Sequence, residues 1–198
     1  GSVGAYNTST GKINITGGTT TGSSYGVYNK STGTVNVSAG TVKVEGNSTT
    51  SIGAIYSYGG AVAISGTAVI EGTNSTGEAR GVVISSGTAT ISGGNITAKT
   101  YGIILADTAS ELSVTGGALT GSDQSGILIS SNLTSTPTVS ITGGTINGGV
   151  NGLNVNAPIA VTVGTNDETV SKTSPVISLD LLMTFPAKYF LTSSKDNS

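Results

Sequence analysis

The sequence predicts an all-β fold: a single right-handed parallel β-helix of about seven three-strand coils, closed by a C-terminal cap. Three observations carry this. A Val/Ile alternation ending on a glycine corner recurs along the chain, as in Thr88-Ala89-Thr90-Ile91-Ser92-Gly93-Gly94. A second marker, a glycine followed by three mostly apolar residues, recurs with the same period. The composition, with 31 glycines, 35% hydrophobic and only 9% charged residues, suits short strands at tight corners rather than a disordered chain.

The glycine-led triplets supply the first strand of each coil. They open at Gly4, Gly26, Gly53, Gly81, Gly102, Gly126 and Gly152, separated by 21 to 28 residues. Fixed strand segments at an irregular period place the insertions in loops, as solenoids tolerate. The second strand carries the alternation: Ile13 and Ile15, Val35 and Val37, Val62 and Ile64, Ala89 and Ile91, Leu112 and Val114, Val139 and Ile141, Val161 and Val163. Between them stand Asn14, Asn36, Ala63, Thr90, Ser113, Ser140 and Thr162, so period two sets an apolar face against a small, mostly polar one. A short third strand follows the corner, with Thr20, Val42, Val69, Ile96, Leu119 and Ile146 in the equivalent position.

One such coil cannot bury its own inner face. Stacking coil on coil closes parallel ladders and a continuous core, in a rod of roughly 34 Å at about 4.8 Å per coil. Strand-to-parallel-strand crossovers favour the right hand. The repeats span residues 1–165. Residues 166–198 are expected to hold a terminal coil, a cap and a frayed tail of the same domain. The cap is drawn from Leu179, Leu181, Leu182, Met183, Phe185, Tyr189, Phe190 and Leu191, large apolar residues gathered where the repeat decays. The chain opens at Gly1-Ser2-Val3 already within the repeat, as a segment of a longer protein would.

The units Tyr25-Gly26-Val27-Tyr28-Asn29 and Thr90-Ile91-Ser92-Gly93-Gly94 resemble repeats of large bacterial surface and secreted proteins with a pectate-lyase-like right-handed β-helix. The resemblance covers roughly residues 3–165. It implies an extracellular or cell-surface setting and, through relatives described as carbohydrate-binding, a polysaccharide or host-glycan partner. Relatives with calcium-linked sugar binding carry acidic residues after the glycine-led motif. Here those slots hold Tyr, Asn, Ile and Leu, which speaks against that mechanism.

Composition excludes several chemistries. Formal charge is −2, and the eight Lys and Arg residues are scattered, so no basic stripe exists to hold nucleic acid. Cys and His are absent, which removes thiolate and imidazole chemistry from the chain. No apolar run approaches the roughly 20 residues of a membrane-spanning helix. Arg80, Glu71, Glu78, Asp107, Glu111 and Asp123 are the residues nearest to a catalytic set, and their spacing reads as solvated loop charge. The chain is therefore expected to have no catalytic residues. The expected cofactor set is none, with calcium the one metal that the oxygen-rich segments Glu71 to Glu78 and Asn166-Asp167-Glu168 suit.

The candidate ligand face is the middle residue of each triplet, which points outward if its neighbours point in. That column is Tyr6, Tyr28, Ile55, Val83, Ile104 and Leu128, ending at Asn154. Tyr6 and Tyr28, beside Asn7 and Asn29, have the flat apolar faces and polar tips of a sugar platform. The alternative is a column covered by the tail, a loop or another subunit. Triplets apolar throughout, such as Ile103-Ile104-Leu105, leave the two faces interchangeable. Two functional classes follow: a non-enzymatic stalk or adhesion segment, and a carbohydrate-binding domain, with a polysaccharide-cleaving enzyme a distant third.

Overall fold

The computed structural model describes residues 2–46, 52–73, 77–164 and 169–172. Strands follow one another as β1 (Val3–Asn7), β2 (Lys12–Gly22), β3 (Tyr25–Asn29), β4 (Thr34–Val44), β5 (Ile52–Ser57), β6 (Ala61–Ile64) and β7 (Val69–Gly72). Then come β8 (Ala79–Ala98), β9 (Tyr101–Gly121), β10 (Ser125–Ile129), β11 (Thr138–Gly148), β12 (Asn151–Val155), β13 (Val161–Val163) and β14 (Thr169–Lys172). No helix occurs among the described residues. The long strands turn corners, so that β8 and β9 each run through all three faces of a coil.

Three parallel ladders result. The first joins β1, β3, β5, the start of β8, the start of β9, β10 and β12. The second joins the first half of β2, the first half of β4, β6, the middle of β8 and β9, β11 and β13. The third joins the ends of β2 and β4, β7, the ends of β8, β9 and β11, and β14. The chain is thus a parallel β-solenoid of about six turns with a seventh set of short strands, close to the expected coil number.

Like stacks on like along the axis. In the second ladder Val35, Val62, Ala89, Leu112 and Val139 form one buried column, and Val37, Ile64, Ile91, Val114 and Ile141 the next. Each isoleucine so buried contributes roughly 1.5–3 kcal/mol. Val163, in the last strand of that ladder, was expected inward and is 47% exposed, because no further described strand stacks on β13. The corner after the second ladder needs a left-handed residue: Gly18, Gly40, Gly66, Gly94, Gly117 and Gly144 all have positive φ. Only the second residue of the Gly-Gly pair carries this demand, which is why Ala39 can replace the first.

The third coil corrects the sequence register twice. Val69 was aligned with Val42 and Ile96, but Ile70 is their partner. The corner there holds one additional residue, Ala68, which is buried in the core while its N–H donates to Ser65 O at 3.3 Å. In the first ladder, Tyr25 pairs with Gly53 and Val27 with Ile55, so Ala54 rather than Gly53 fills the place of Gly26. Ile55 therefore lies in the core at 0% exposure, not in the outward column, and Tyr56 takes the outward place. A single shift at a period of two exchanges the faces.

The expected cap, including Leu179 to Leu191, and the Asn166-Asp167-Glu168 segment lie outside the described residues.

Candidate functional site

The corrected outward column of the first ladder runs Tyr6, Tyr28, Tyr56, Val83, Ile104, Leu128, Asn154. Parallel in-register stacking places each of these side chains one strand spacing from the next, about 4.8 Å. Its first three members are tyrosines, and neighbouring positions bring in two more. The rings of Tyr6 and Tyr28 stack with centroids 5.2 Å apart and planes 2° from parallel. Tyr25 stacks on Tyr28 at 4.9 Å and meets Tyr56 edge-on at 5.4 Å. Tyr58, just past the end of β5, lies 5.1 Å from Tyr56 and 5.9 Å from Tyr28.

The cluster grades from wet to dry. Tyr6 is 52% exposed and Tyr58 49%, whereas Tyr25, Tyr28 and Tyr56 are half-buried. Burial raises the Tyr28 phenol above its usual value, and neighbouring phenols add to the shift. Burial, followed by Tyr58, pushes Tyr56 up to about 12. Offset and edge-to-face contacts at these distances add roughly 0.5–1.5 kcal/mol per pair beyond area burial. They also occupy most ring faces, so the surface shows phenol edges and hydroxyls more than open platforms.

Beyond Tyr56 the column turns aliphatic and dry. Val83 and Ile104 are 2% and 5% exposed, in a small cluster with Ala106 that is separate from the core and flanked by Tyr56, Tyr101 and Leu128. The sequence-predicted column is therefore not one continuous face. Tyr6 and Tyr28 lie together at one end, Val83, Ile104 and Leu128 form a second patch, and Ile55 belongs to neither.

Asn7 and Asn29 also leave the candidate site. Period two turns them inward when Tyr6 and Tyr28 point out. Asn29 is fully buried and its amide nitrogen donates to Gly33 O at 2.9 Å, Gly59 O at 2.8 Å and Ser57 Oγ at 3.1 Å. Asn7 donates to Asn29 Oδ1 at 3.0 Å and Gly11 O at 2.9 Å. These amides satisfy corner carbonyls inside the coil. The same inward column continues as Ser57, Ile84, Leu105, Ile129 and Val155. Tyr25, Tyr56 and Tyr58 were missed as site residues. Their signal was available in composition, since six of the chain's seven tyrosines precede residue 102.

The charged candidates are engaged separately. Arg80 pairs with Glu78 at 2.7 Å, and Glu71 stands in register beside Lys43, which pairs with Glu45. Asp107 Oδ2 accepts from Ser85 Oγ, and Oδ1 accepts from Asn132 Nδ2 at 2.9 Å. Asp107 adopts φ 50°, a left-handed conformation that Asp tolerates better than most residues. Its carbonyl accepts from Thr134 N at 2.7 Å and Thr134 Oγ1 at 3.1 Å, tying the 130–137 excursion to the rod. Glu111 stands in register between Thr88 and Thr138. Among the described residues no three His, Cys, Asp or Glu side chains gather in a metal-binding group, and no helix is long and apolar enough to cross a membrane.

Fold and surface together define a parallel β-solenoid repeat protein with a tyrosine cluster on its first sheet. No protein-family model, curated protein or solved structure matches this chain.

Proposed function

We propose that this chain is a non-enzymatic, extracellular β-solenoid module of a larger bacterial surface or secreted protein, acting as a stalk or adhesion segment. The observation that carries this reading is the unbroken run of three parallel ladders from the first coil through β11. Each coil is held by its neighbours, so stiffness accumulates along the axis and length scales with repeat number. Such a body spaces and presents surfaces. The likeness of Tyr25–Asn29 and of Thr90–Gly94 to bacterial surface repeats supports the setting. The engagement of Arg80 by Glu78, and of Asp107 by Ser85 and Asn132, supports the non-catalytic part.

The second reading, carbohydrate binding, is favoured by one observation: Tyr6 and Tyr28 form a parallel pair whose outer member is half open to solvent. A pyranose ring can stack on the free face of Tyr6. A glycan array probed with and without calcium separates the two. The stalk reading expects no specific retention under either condition. Micromolar or tighter binding of one polysaccharide, lost in Tyr6→Ala, would establish the second reading and overturn the first.

A further inference from the structure

The first coil has the shape of an inner coil on a side that no described residue covers. β1 pairs only with β3 and β2 only with β4, so one edge of each stands without a neighbouring strand among the described residues. Such an edge offers backbone N–H and C=O groups to a further strand. The inward residues Ala5 and Ile13 are half-buried, whereas their in-register partners Val27 and Val35 are fully buried. The side-chain stacks end in the same direction. Tyr28 covers one face of the Tyr6 ring, and Tyr6 is 52% exposed. Asn36 Nδ2 donates to Asn14 Oδ1 at 2.8 Å, which makes the Asn14 amide nitrogen the next donor in line.

Two glycine corners show what this edge is shaped to meet. Gly33, Gly60 and Gly87 stand one residue ahead of the second ladder in successive coils. A Cβ at Gly33 would overlap the carbonyl oxygen of Gly11, at Gly60 that of Gly33, and at Gly87 that of Gly60. Each therefore leaves its side-chain space to the backbone of the coil before it. Gly11 holds the same place in the first coil, yet its φ is not positive and a Cβ there meets nothing closer than Ser9 Oγ at 3.3 Å. The next corner repeats the pattern. A Cβ at Gly40 would lie 2.6 Å from Gly18 O and one at Gly117 would lie 2.9 Å from Gly94 O, whereas at Gly18 it meets nothing within 4 Å.

We infer that the outer edge of the first coil is a docking edge for one further coil of the same repeat, carried on another stretch of polypeptide. The docked coil continues the interface that already joins neighbouring coils of the rod. Its strands add in parallel register, and its backbone passes over Gly11 and Gly18. It carries a flat ring above Tyr6 and a side-chain carbonyl or hydroxyl to accept from Asn14. Opposite Lys12, which is exposed, it carries a neutral or acidic residue, because no acidic residue precedes Glu45 in this chain. A second copy presenting its own first coil fits less well, since it would bring two lysine-bearing, acid-free ends together. This goes beyond the spacing role, which needs only the coils already present.

The test supplies such a coil to the full chain. Residues 3–24 are repeated directly ahead of Val3, the copy carrying Lys12→Glu, so that the new junction matches the one by which Ser24 leads into Tyr25. Amide hydrogen exchange and melting temperature are read in the extended and unextended chains, each with and without Gly11→Ala in the original first coil. The expected result is exchange slowed several-fold in the original Val3–Asn7 and Lys12–Gly22 strands, with a higher melting temperature. Gly11→Ala should remove both gains from the extended chain, where its Cβ meets the added backbone, and leave the unextended chain unchanged. No gain from the added coil, or a gain that survives Gly11→Ala, would overturn the inference. Light scattering that shows the unextended chain to be a dimer dissociated by Gly11→Ala would also overturn it, by assigning the edge to a second copy.

Discussion

Val69 and Ile70 are adjacent β-branched residues to which the repeat pattern and the folded register give opposite roles. Ile70 is fully buried and stacked between Val42 and Ile96. Val69 stands in the outward column between Thr41 and Asn95 and is half-buried. Truncating Ile70 to Ala removes buried methyl and methylene groups from a stacked core that cannot collapse freely, a loss of about 2–5 kcal/mol. Val69→Ala removes partly solvated surface and should cost under about 1 kcal/mol. Urea denaturation followed by far-ultraviolet circular dichroism reads both, provided the slope with denaturant stays the same. The reasoning predicts a large fall in midpoint for Ile70→Ala and a small one for Val69→Ala. Equal effects, or the reverse order, would mean that the corner does not absorb Ala68 and that the third coil keeps the register of its neighbours.

Other outcomes follow from the same structure. Gly17→Ala should be silent or slightly stabilising, since an added Cβ meets nothing within 4 Å and its φ is not positive, whereas Gly18→Ala, at φ 71°, should cost about 1–2 kcal/mol in the same denaturation experiment. Asn29→Leu keeps the branched shape but leaves the Gly33 carbonyl without its side-chain donor and Asn7 Nδ2 without Asn29 Oδ1, and should lower stability by about 2–4 kcal/mol; an unchanged midpoint would show that these groups find other partners. Tyr56 favours its neutral form when folded, so its contribution is fully present below the unfolded phenol value of about 10 and is lost as pH rises toward about 12. Melting temperature followed across that window should fall more steeply for the wild type than for Tyr56→Phe, and parallel curves would deny the shift.

The sequence reading succeeded where one physical signal dominated. Alternation at Val35/Val37, Ile91 and Leu112/Val114 fixed the inward face of the second ladder, because polar partners stand between the apolar residues. The first ladder was harder. In Gly53-Ala54-Ile55-Tyr56 every residue can face either way, and the marker glycine gave a false register because Ala54 is small enough to take its place. Ala68 was invisible for a similar reason: a one-residue expansion at a corner leaves no trace in an apolar pattern that already tolerates Val and Ile side by side. The inward place of Asn7 and Asn29 follows from the same parity that turns Tyr6 and Tyr28 out, but the corner carbonyls that satisfy their amides exist only once the coil closes. The tyrosine cluster joins residues from three coils, and only the register across those coils assembles it.

Central to the account is a stiff rod of in-register parallel coils, and a distance along its axis tests it most directly. Asn14, Asn36, Ala63, Thr90, Ser113, Ser140 and Thr162 form one column of the second ladder. The chain contains no cysteine, so paired spin labels can be placed at chosen members of this column without background. Six strand spacings put positions 14 and 162 about 29 Å apart, and four put positions 36 and 140 about 19 Å apart, before the length of the label is added. Double electron–electron resonance should return two narrow distributions whose centres differ by about 10 Å. Broad distributions, or a separation that does not grow with the number of intervening coils, would contradict the stacked rod and the spacing role built on it.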